Sequence, residues 1–339
     1  MKRIEVTRHG APQDMLIVER ATPTPGPGEV LIGVRAIGLN FPDLLVISGK
    51  YQTIPPLPFA PGKDVAGVVL ALGPGVRRLK VGDRVMAQIE NGGYAEAVVA
   101  PEIHCFVMPA GLPMAKAAAM GLIYSTSWFG ITDRGAMKPA ETVLITGAAG
   151  GCGVAAVQIV KALGGRAIGV VSTQEKADFV LAQGADHAIV ADGRDMREAL
   201  RTEVFACNGG RGADIVFDPV GGDLFDAALR ALAWSGRAVI CGFAGGGPNT
   251  IRSNYLLIKH ISVHGLHASD YRDFQPHLLQ EAMARMFALI EMGRLDPPVS
   301  AVYPFADYAA ALDLIASRKA MGKIVLATQA GADEVTHAA

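Results

Sequence analysis

Between residues 140 and 245, five apolar, β-branched runs alternate with spacers of helical pattern. This rhythm limits the folds open to the chain more than any other feature. "ETVLIT" leads into "GVAAVQIVKALGG", "RAIGVVS" into "QEKADFVLAQGAD", "HAIVA" into "MREALRTEVFA" and "ADIVFDPV" into "LFDAALRALAWSG", with "RAVICGFA" closing the series. Parallel strands cannot be joined by tight turns, because each return to the same end of a sheet needs a crossover of a dozen or more residues. The alternation therefore predicts an α/β region with a doubly wound parallel sheet.

The first third differs. "EVLIGVRAIGLN", "DVAGVVLALGPGV", "VGDRVMA" and "GGYAEAVVA" are short β-rich runs punctuated by Gly and Pro, which predicts a β-barrel-like or partly open antiparallel domain. A chain of 339 residues has room for two such cores. Beyond residue 262, the helical stretches "LLQEAMARMFALIEMG" and "FADYAAALDLIASR" and a strand "KIVLA" read as a return to the first domain, and "TQAGADEVTHAA" as a frayed end.

With 31 basic and 32 acidic side chains, the net charge of -1 gives no electrostatic grip on nucleic acid or a membrane surface. The four cysteines, at 105, 152, 207 and 241, form no CxxC pair, so neither a zinc-finger spacing nor a disulfide framework is readable and a reducing cytoplasm is the expected home. The first residues lack an apolar core of signal-peptide length. Val143 to Val160 runs 18 residues without a charge, but its glycines and β-branched start read as strand, turn and helix rather than a membrane span.

Four glycines fall within the seven positions Gly147 to Gly153, after the first strand of the series and before its first helix. Free N–H groups at a helix N-terminus carry partial positive charge, and glycines let a pyrophosphate approach the backbone. The backbone of Ala149, Gly150, Gly151, Cys152 and Gly153 is therefore the expected dinucleotide cradle, with Gly150 and Gly153 as second and third glycines of a GxGxxG pattern and Ala148 in place of the first. NAD selection calls for an acidic residue at the end of the second strand. There the chain has Ser172, Thr173 and, within one turn, Lys176, which suits the 2′-phosphate of NADPH; Ser172 is also read as a helix cap.

In the order "GLNFPDLLVISGKY", "PGKDVAGVV", "VGDRV", "GGYAE", "GAAGGCGVAAVQIVKALG", "GADIVFDPVGG" and "GKIVL", the chain resembles the medium-chain dehydrogenase/reductase superfamily and, within it, the zinc-independent quinone oxidoreductases. The resemblance implies a GroES-like catalytic domain from both chain ends, residues 1–122 and 264–339, with a Rossmann NADP-binding domain, 123–263, inserted. Zinc-dependent relatives carry Cys where this chain has Asn40, and Gly-His-Glu where it has Gly62, Lys63 and Asp64. No metal is expected. Oxidising a simple alcohol needs a Lewis acid, whereas a quinone or a conjugated alkene accepts hydride with hydrogen-bond donors alone.

The resemblance also implies site residues. Asn40, Asp43 and Tyr51 fall near nicotinamide or substrate: Asn40 as donor to an acceptor oxygen or to the coenzyme carboxamide, Tyr51 as proton or hydrogen-bond donor or as a packing aromatic, Asp43 as a catalytic group or a brace for its loop. Thr126 resembles a coenzyme-contacting threonine, and Arg318 an arginine near the coenzyme phosphates. The loops "DPVGG" and "CGFAGGG", with Gly242 and Phe243, follow strand ends where a ligand lies in an open parallel sheet. Lys63 is read as small-domain surface and Cys241 as inert core. Leu45 replaces a tyrosine of some bacterial members, and Val190 and Ala191 stand where many have another. In an extended "HISVHGLH", His260 and His264 would lie about 13 Å apart, with His267 on the opposite side, so no metal site is expected there.

The expected activity is NADPH-dependent reduction of a small-molecule quinone by a cytoplasmic homodimer, with "ISVHGLH" as the dimerising edge strand. The alternatives are reduction of activated alkenes (acrylate-like acids, enoyl thioesters, enones) and a non-catalytic, crystallin-like NADPH-binding protein.

Overall fold

Seven short strands precede the glycine turn: β1 (Lys2–Glu5), β2 (Leu16–Glu19), β3 (Glu29–Gly38), β4 (Asp64–Leu72), β5 (Arg84–Gln88), β6 (Ala97–Pro101) and β7 (Cys105–Val107). Six follow in the alternating region: β8 (Thr142–Thr146), β9 (Arg166–Val171), β10 (His187–Val190), β11 (Ala213–Asp218), β12 (Leu232–Ile240) and β13 (Ser262–Gly265). Two more, β14 (Val299–Pro304) and β15 (Lys323–Ala327), come near the C-terminus. This is a computed structural model, and it describes residues 1–191 and 196–335. The chain divides into one unit of residues 1–122, 269–291 and 296–339, and another of residues 123–268 and 292–295.

The first unit is built on a sheet of order β14-β15-β3-β4-β5-β7, with β6 also paired to β3. β3 pairs antiparallel with β4, β6 and β15. This last pairing seats the C-terminal strand beside the N-terminal ones. Ile32, Val65, Val85, Ile324 and Leu326, all at most 1% exposed, belong to one apolar core. The last stretch is anchored where fraying was expected: the Thr328 hydroxyl donates to the Val34 carbonyl at 2.7 Å, and Thr328 is 1% exposed. His337 and the alanines after it lie outside the described residues.

The second unit holds a six-stranded sheet, order β10-β9-β8-β11-β12-β13, in which every neighbouring pair is parallel. β8 lies inside it and all five of its residues are buried, as an apolar run covered on both faces requires. Because the strands are parallel, the turns after β8, β9, β11 and β12 emerge on one edge. β13 adds a sixth strand, paired among the described residues only with β12, beyond the five that the alternation shows. The helix expected to run through "RALAWSG" stops at Ala231. There the Lys259 ammonium takes the carbonyls of Arg230 at 2.9 Å and Leu232 at 2.6 Å, ending the helix, and β12 begins. His260 caps the helix Ser253–Lys259 in a left-handed conformation, so "HISVHGLH" is not one extended strand. Among the described residues no helix is long and apolar enough to cross a membrane.

Two glycines are dictated by the turn itself. Gly147 takes a φ of 57°, and a Cβ on Gly153 would lie 2.3 Å from the Gly147 carbonyl oxygen and 2.5 Å from Ala148 Cα. The tight-turn position is thus filled by Gly147, one residue before Ala148. Backbone must shift to admit a methyl at 153, so Gly153→Ala is expected to lose about 1–3 kcal/mol, the usual cost of overpacking, in urea unfolding.

Candidate functional site

In the second unit the turn after β8 is pinned from beneath. The Thr146 hydroxyl donates to the Asp218 carboxylate at the end of β11. That carboxylate also accepts from the Gly221 N–H at 2.9 Å and the Val220 N–H at 3.3 Å, fixing the "DPVGG" loop against the glycine turn. Burial raises the pKa of Asp218, offset by these donors. The next loop runs alongside, with the Cys241 N–H on the Asp218 carbonyl and the Ala244 N–H on that of Pro219, which places Gly242 and Phe243 on the same edge. Phe243 is 41% exposed, and burial pushes the Cys241 thiol well above its usual range.

Gly150 is the N-cap of the helix Gly151–Ala162 and has no capping side chain. The first N–H groups of that helix therefore open onto a turn whose cap residue brings no side chain of its own to compete with an incoming anion. Thr126 sits buried in the helix Gly121–Phe129, beside Ser127, whose hydroxyl donates to the Cys152 carbonyl at 2.8 Å. After β9 the cap is Thr173 rather than Ser172: its hydroxyl accepts from the Lys176 N–H at 3.3 Å. Ser172 is left with its hydroxyl 3.2 Å from the Lys176 ammonium. A hydroxyl and a cation thus converge on one exposed spot at a strand end.

The first unit carries a different cluster. Asn40 caps the helix Phe41–Ile47, and its own N–H donates to Asp43 Oδ2 at 2.8 Å. Both protons of its side-chain amide stay inside the protein, on the Gly38 carbonyl at 3.1 Å and Asp64 Oδ2 at 2.9 Å. The amide oxygen accepts from the Lys323 ammonium, which also lies 3.5 Å from Asp64. Asp64 Oδ1 accepts from the Leu122 N–H at 2.9 Å. The amide that sequence reading directs at an acceptor or coenzyme is thus spent within the fold.

Asp43 is 1% exposed and receives the Tyr94 hydroxyl at 3.0 Å on Oδ2, while Oδ1 has no partner among the described residues. Burial raises its pKa to about 6 against the pull of the Asn40 N–H, Lys63, Tyr94 and Lys323.

Lys63 is not surface: it is 1% exposed and ion-paired to Glu90. Glu90 in turn receives Arg272 at 2.8 Å, itself only 3% exposed. The Lys63 ammonium lies 4.8 Å from the centroid of the Tyr51 ring. Tyr51 is half-buried, and its phenol is pushed up to about 12 by burial and by the Glu90 and Asp43 carboxylates. Arg318 is exposed, in the left-handed turn after the helix Tyr308–Ala316, with a φ of 57°. Sequence reading passed over Lys323, Glu90, Arg272 and Tyr94. Lys323 lies in a quoted stretch, "GKIVL", yet no local pattern tells a buried partner from a solvated lysine.

A divalent ion does not fit this arrangement. At the positions that would supply a thiolate and an imidazole stand an amide already fully engaged and a buried ammonium. Among the described residues no three His, Cys, Asp or Glu side chains gather as a metal site.

Residues 26–110 match the family model described as alcohol dehydrogenase GroES-like domain, and residues 151–284 match that described as zinc-binding dehydrogenase. Quinone oxidoreductase-like protein 2 of Bos taurus is 33% identical over 313 residues, covering 92% of this chain and 88% of its own length. The Escherichia coli quinone oxidoreductase complexed with NADPH superposes with a TM-score of 0.88 at 32% identity, covering 96% of this chain and all of the other. A mycobacterial protein complexed with NADPH gives a TM-score of 0.90 at 32% identity, covering 96% and 100% of the two chains.

Asp43 gives a test with a defined sign. Its carboxyl titrates near 6 when folded and near 3.8 when unfolded, so between these values the folded state binds more protons. Its contribution to stability is therefore greatest below the unfolded value, declines as pH rises towards 6, and is constant above. Asp43→Asn should gain stability relative to the unsubstituted protein from pH 4 to 6 and hold that difference to pH 8. A difference independent of pH in urea unfolding would assign the titration elsewhere.

Proposed function

The chain belongs to the quinone oxidoreductase family of the medium-chain dehydrogenase/reductase superfamily, and from that membership we propose that it reduces quinones with NADPH and without a metal. The observation that carries the reading is that the buried Lys63 ammonium on Glu90 and the Asn40 amide held by Lys323 stand where a metal-dependent relative needs metal ligands. A site without a Lewis acid suits an acceptor that is already electron-poor.

The N–H groups from Gly150 to Gly153 hold the coenzyme pyrophosphate, and Ser172, Thr173 and Lys176 its 2′-phosphate. Bound NADPH supplies a hydride from nicotinamide C4. The "DPVGG" and "CGFAGGG" loops, fixed by Asp218, border the same sheet edge. In the first unit, Asn40, Asp43, Asp64 and Lys323 are all at most 3% exposed and hold one another, so their role is to brace the loop that carries Tyr51. Tyr51 is the accessible member. With its phenol at about 12 it stays neutral across the physiological range and acts as a hydrogen-bond donor to a developing oxyanion.

The side of β13 that has no partner strand among the described residues supports a homodimer formed by edge-to-edge pairing of two sheets. Light scattering should then give twice the chain mass.

Kinetic and binding measurements separate the readings. NADPH loss should accompany addition of benzoquinone- or naphthoquinone-type acceptors and be insensitive to chelators; turnover of crotonyl or acrylyl thioesters or enones without quinones would make the chain an alkene reductase instead. Tight NADPH binding with no acceptor turned over would support a non-catalytic role. Lys176→Ala removes one charge-assisted bond, about 1.5–3 kcal/mol, so KM for NADPH should rise roughly ten- to hundredfold while that for NADH is unmoved.

A further inference from the structure

At the opposite, amino-terminal edge of the parallel sheet, where β11 and β12 begin, a concave space of about 400 Å³ is lined by Arg201, Phe205, Arg211, Asp214, Trp234 and Lys259. A neighbouring space of about 380 Å³ shares Arg201 and Lys259 and adds Arg230 and Tyr255. The six residues of β11 put this edge roughly 16 Å of strand away from the Asp218 end that borders the glycine turn.

The charges around it do not balance. Arg201, Arg211, Arg230 and Lys259 face the two spaces with one lining carboxylate, Asp214, which lies 3.5 Å from Arg211. Glu198 reaches Arg230 from outside. Among the described residues, four cations against these two carboxylates leave two positive charges. Arg201 is exposed and lies 4.6 Å over the Phe205 ring, with no carboxylate partner among the described residues. Lys259 is half-buried with its donors on the carbonyls of Leu229, Arg230 and Leu232, so it contributes charge rather than a free hydrogen bond. Its pKa falls to about 8, first by burial and then by repulsion from Arg201 and Arg230. Like charges held this close are relieved by an anion.

We propose that this edge of the second unit binds the phosphate group of a small molecule, with Arg201 and Arg211 as its hydrogen-bond donors and Lys259 and Arg230 as the surrounding field. A guanidinium without a carboxylate offers a planar pair of donors to phosphate oxygens, and two excess charges match a phosphate dianion. Trp234, 72% exposed on the wall, presents a face on which a base can stack.

The test is calorimetric titration of inorganic pyrophosphate and, separately, ADP into the full-length protein at low ionic strength, with one molar equivalent of NADPH to fill the glycine turn and no free excess to compete at the second site. Each probe should give saturable binding that the Arg201→Ala/Arg211→Ala double variant weakens at least tenfold, while KM for NADPH stays unchanged. Arg201 and Arg211 are exposed, so the variant is expected to fold. Loss of ADP affinity in Trp234→Ala, with pyrophosphate binding retained, identifies a nucleotide as the source of the phosphate; equal behaviour of the two probes identifies the free anion. No saturable heat, or affinity unchanged in the double variant, overturns the proposal.

Discussion

An ammonium taken out of water costs several kcal/mol unless acceptors meet it, and the first unit contains two such groups, each almost wholly buried. Lys63 is met by Glu90, and Lys323 by Asn40 and Asp64. Everything else in that cluster follows from these pairings. Asp64 is held in turn by the Leu122 N–H and the Asn40 amide, Asn40 fixes the start of the helix that carries Asp43, and Tyr51 packs beneath the Lys63 charge. Removing Glu90 leaves both Lys63 and Arg272 short of a carboxylate, and removing Asp64 leaves Lys323 with only a neutral amide oxygen.

The second unit solves a different problem with fewer charges. Its glycine-turn edge is made by geometry: parallel strands bring four turns together, and one buried carboxylate, Asp218, ties two of them by accepting from Thr146, Val220 and Gly221. The glycine turn can remain open to a ligand because its own support comes from below. Thr173 supports the neighbouring turn through its backbone cap, leaving Ser172 and Lys176 side chains outward.

The parallel sheet was legible because its signal is periodic and repeated, and the glycine turn because only a few residue types permit so tight a passage. Gly147 shows the limit of such pattern matching: the GxGxxG alignment set Ala148 at the first position, while the left-handed backbone falls one residue earlier. The helix expected to Gly236 ended at Ala231 since its stop signal, Lys259, lies 28 positions away from Ala231 in the sequence. Lys63 reads as surface because charged residues usually are, and its partner Glu90 sits on a separate segment. The resemblance points to Thr126, and the hydroxyl on the Cys152 carbonyl is that of Ser127 beside it. Long-range polar pairing of this kind leaves no periodic trace.

The seating of β15 against β3 has a consequence for biosynthesis. The first-made segments contain Asn40 and Asp64, but the cation that bonds the one and neutralises the other, Lys323, arrives some 260 residues after Asp64. A nascent chain emerging from the ribosome can complete the intervening sheet, β8 to β13, while the earlier segments still lack their final strand. The N-terminal part then waits, with an acidic vacancy at its centre, for the last strand to be released, so a truncation before residue 323 spoils the portion translated first.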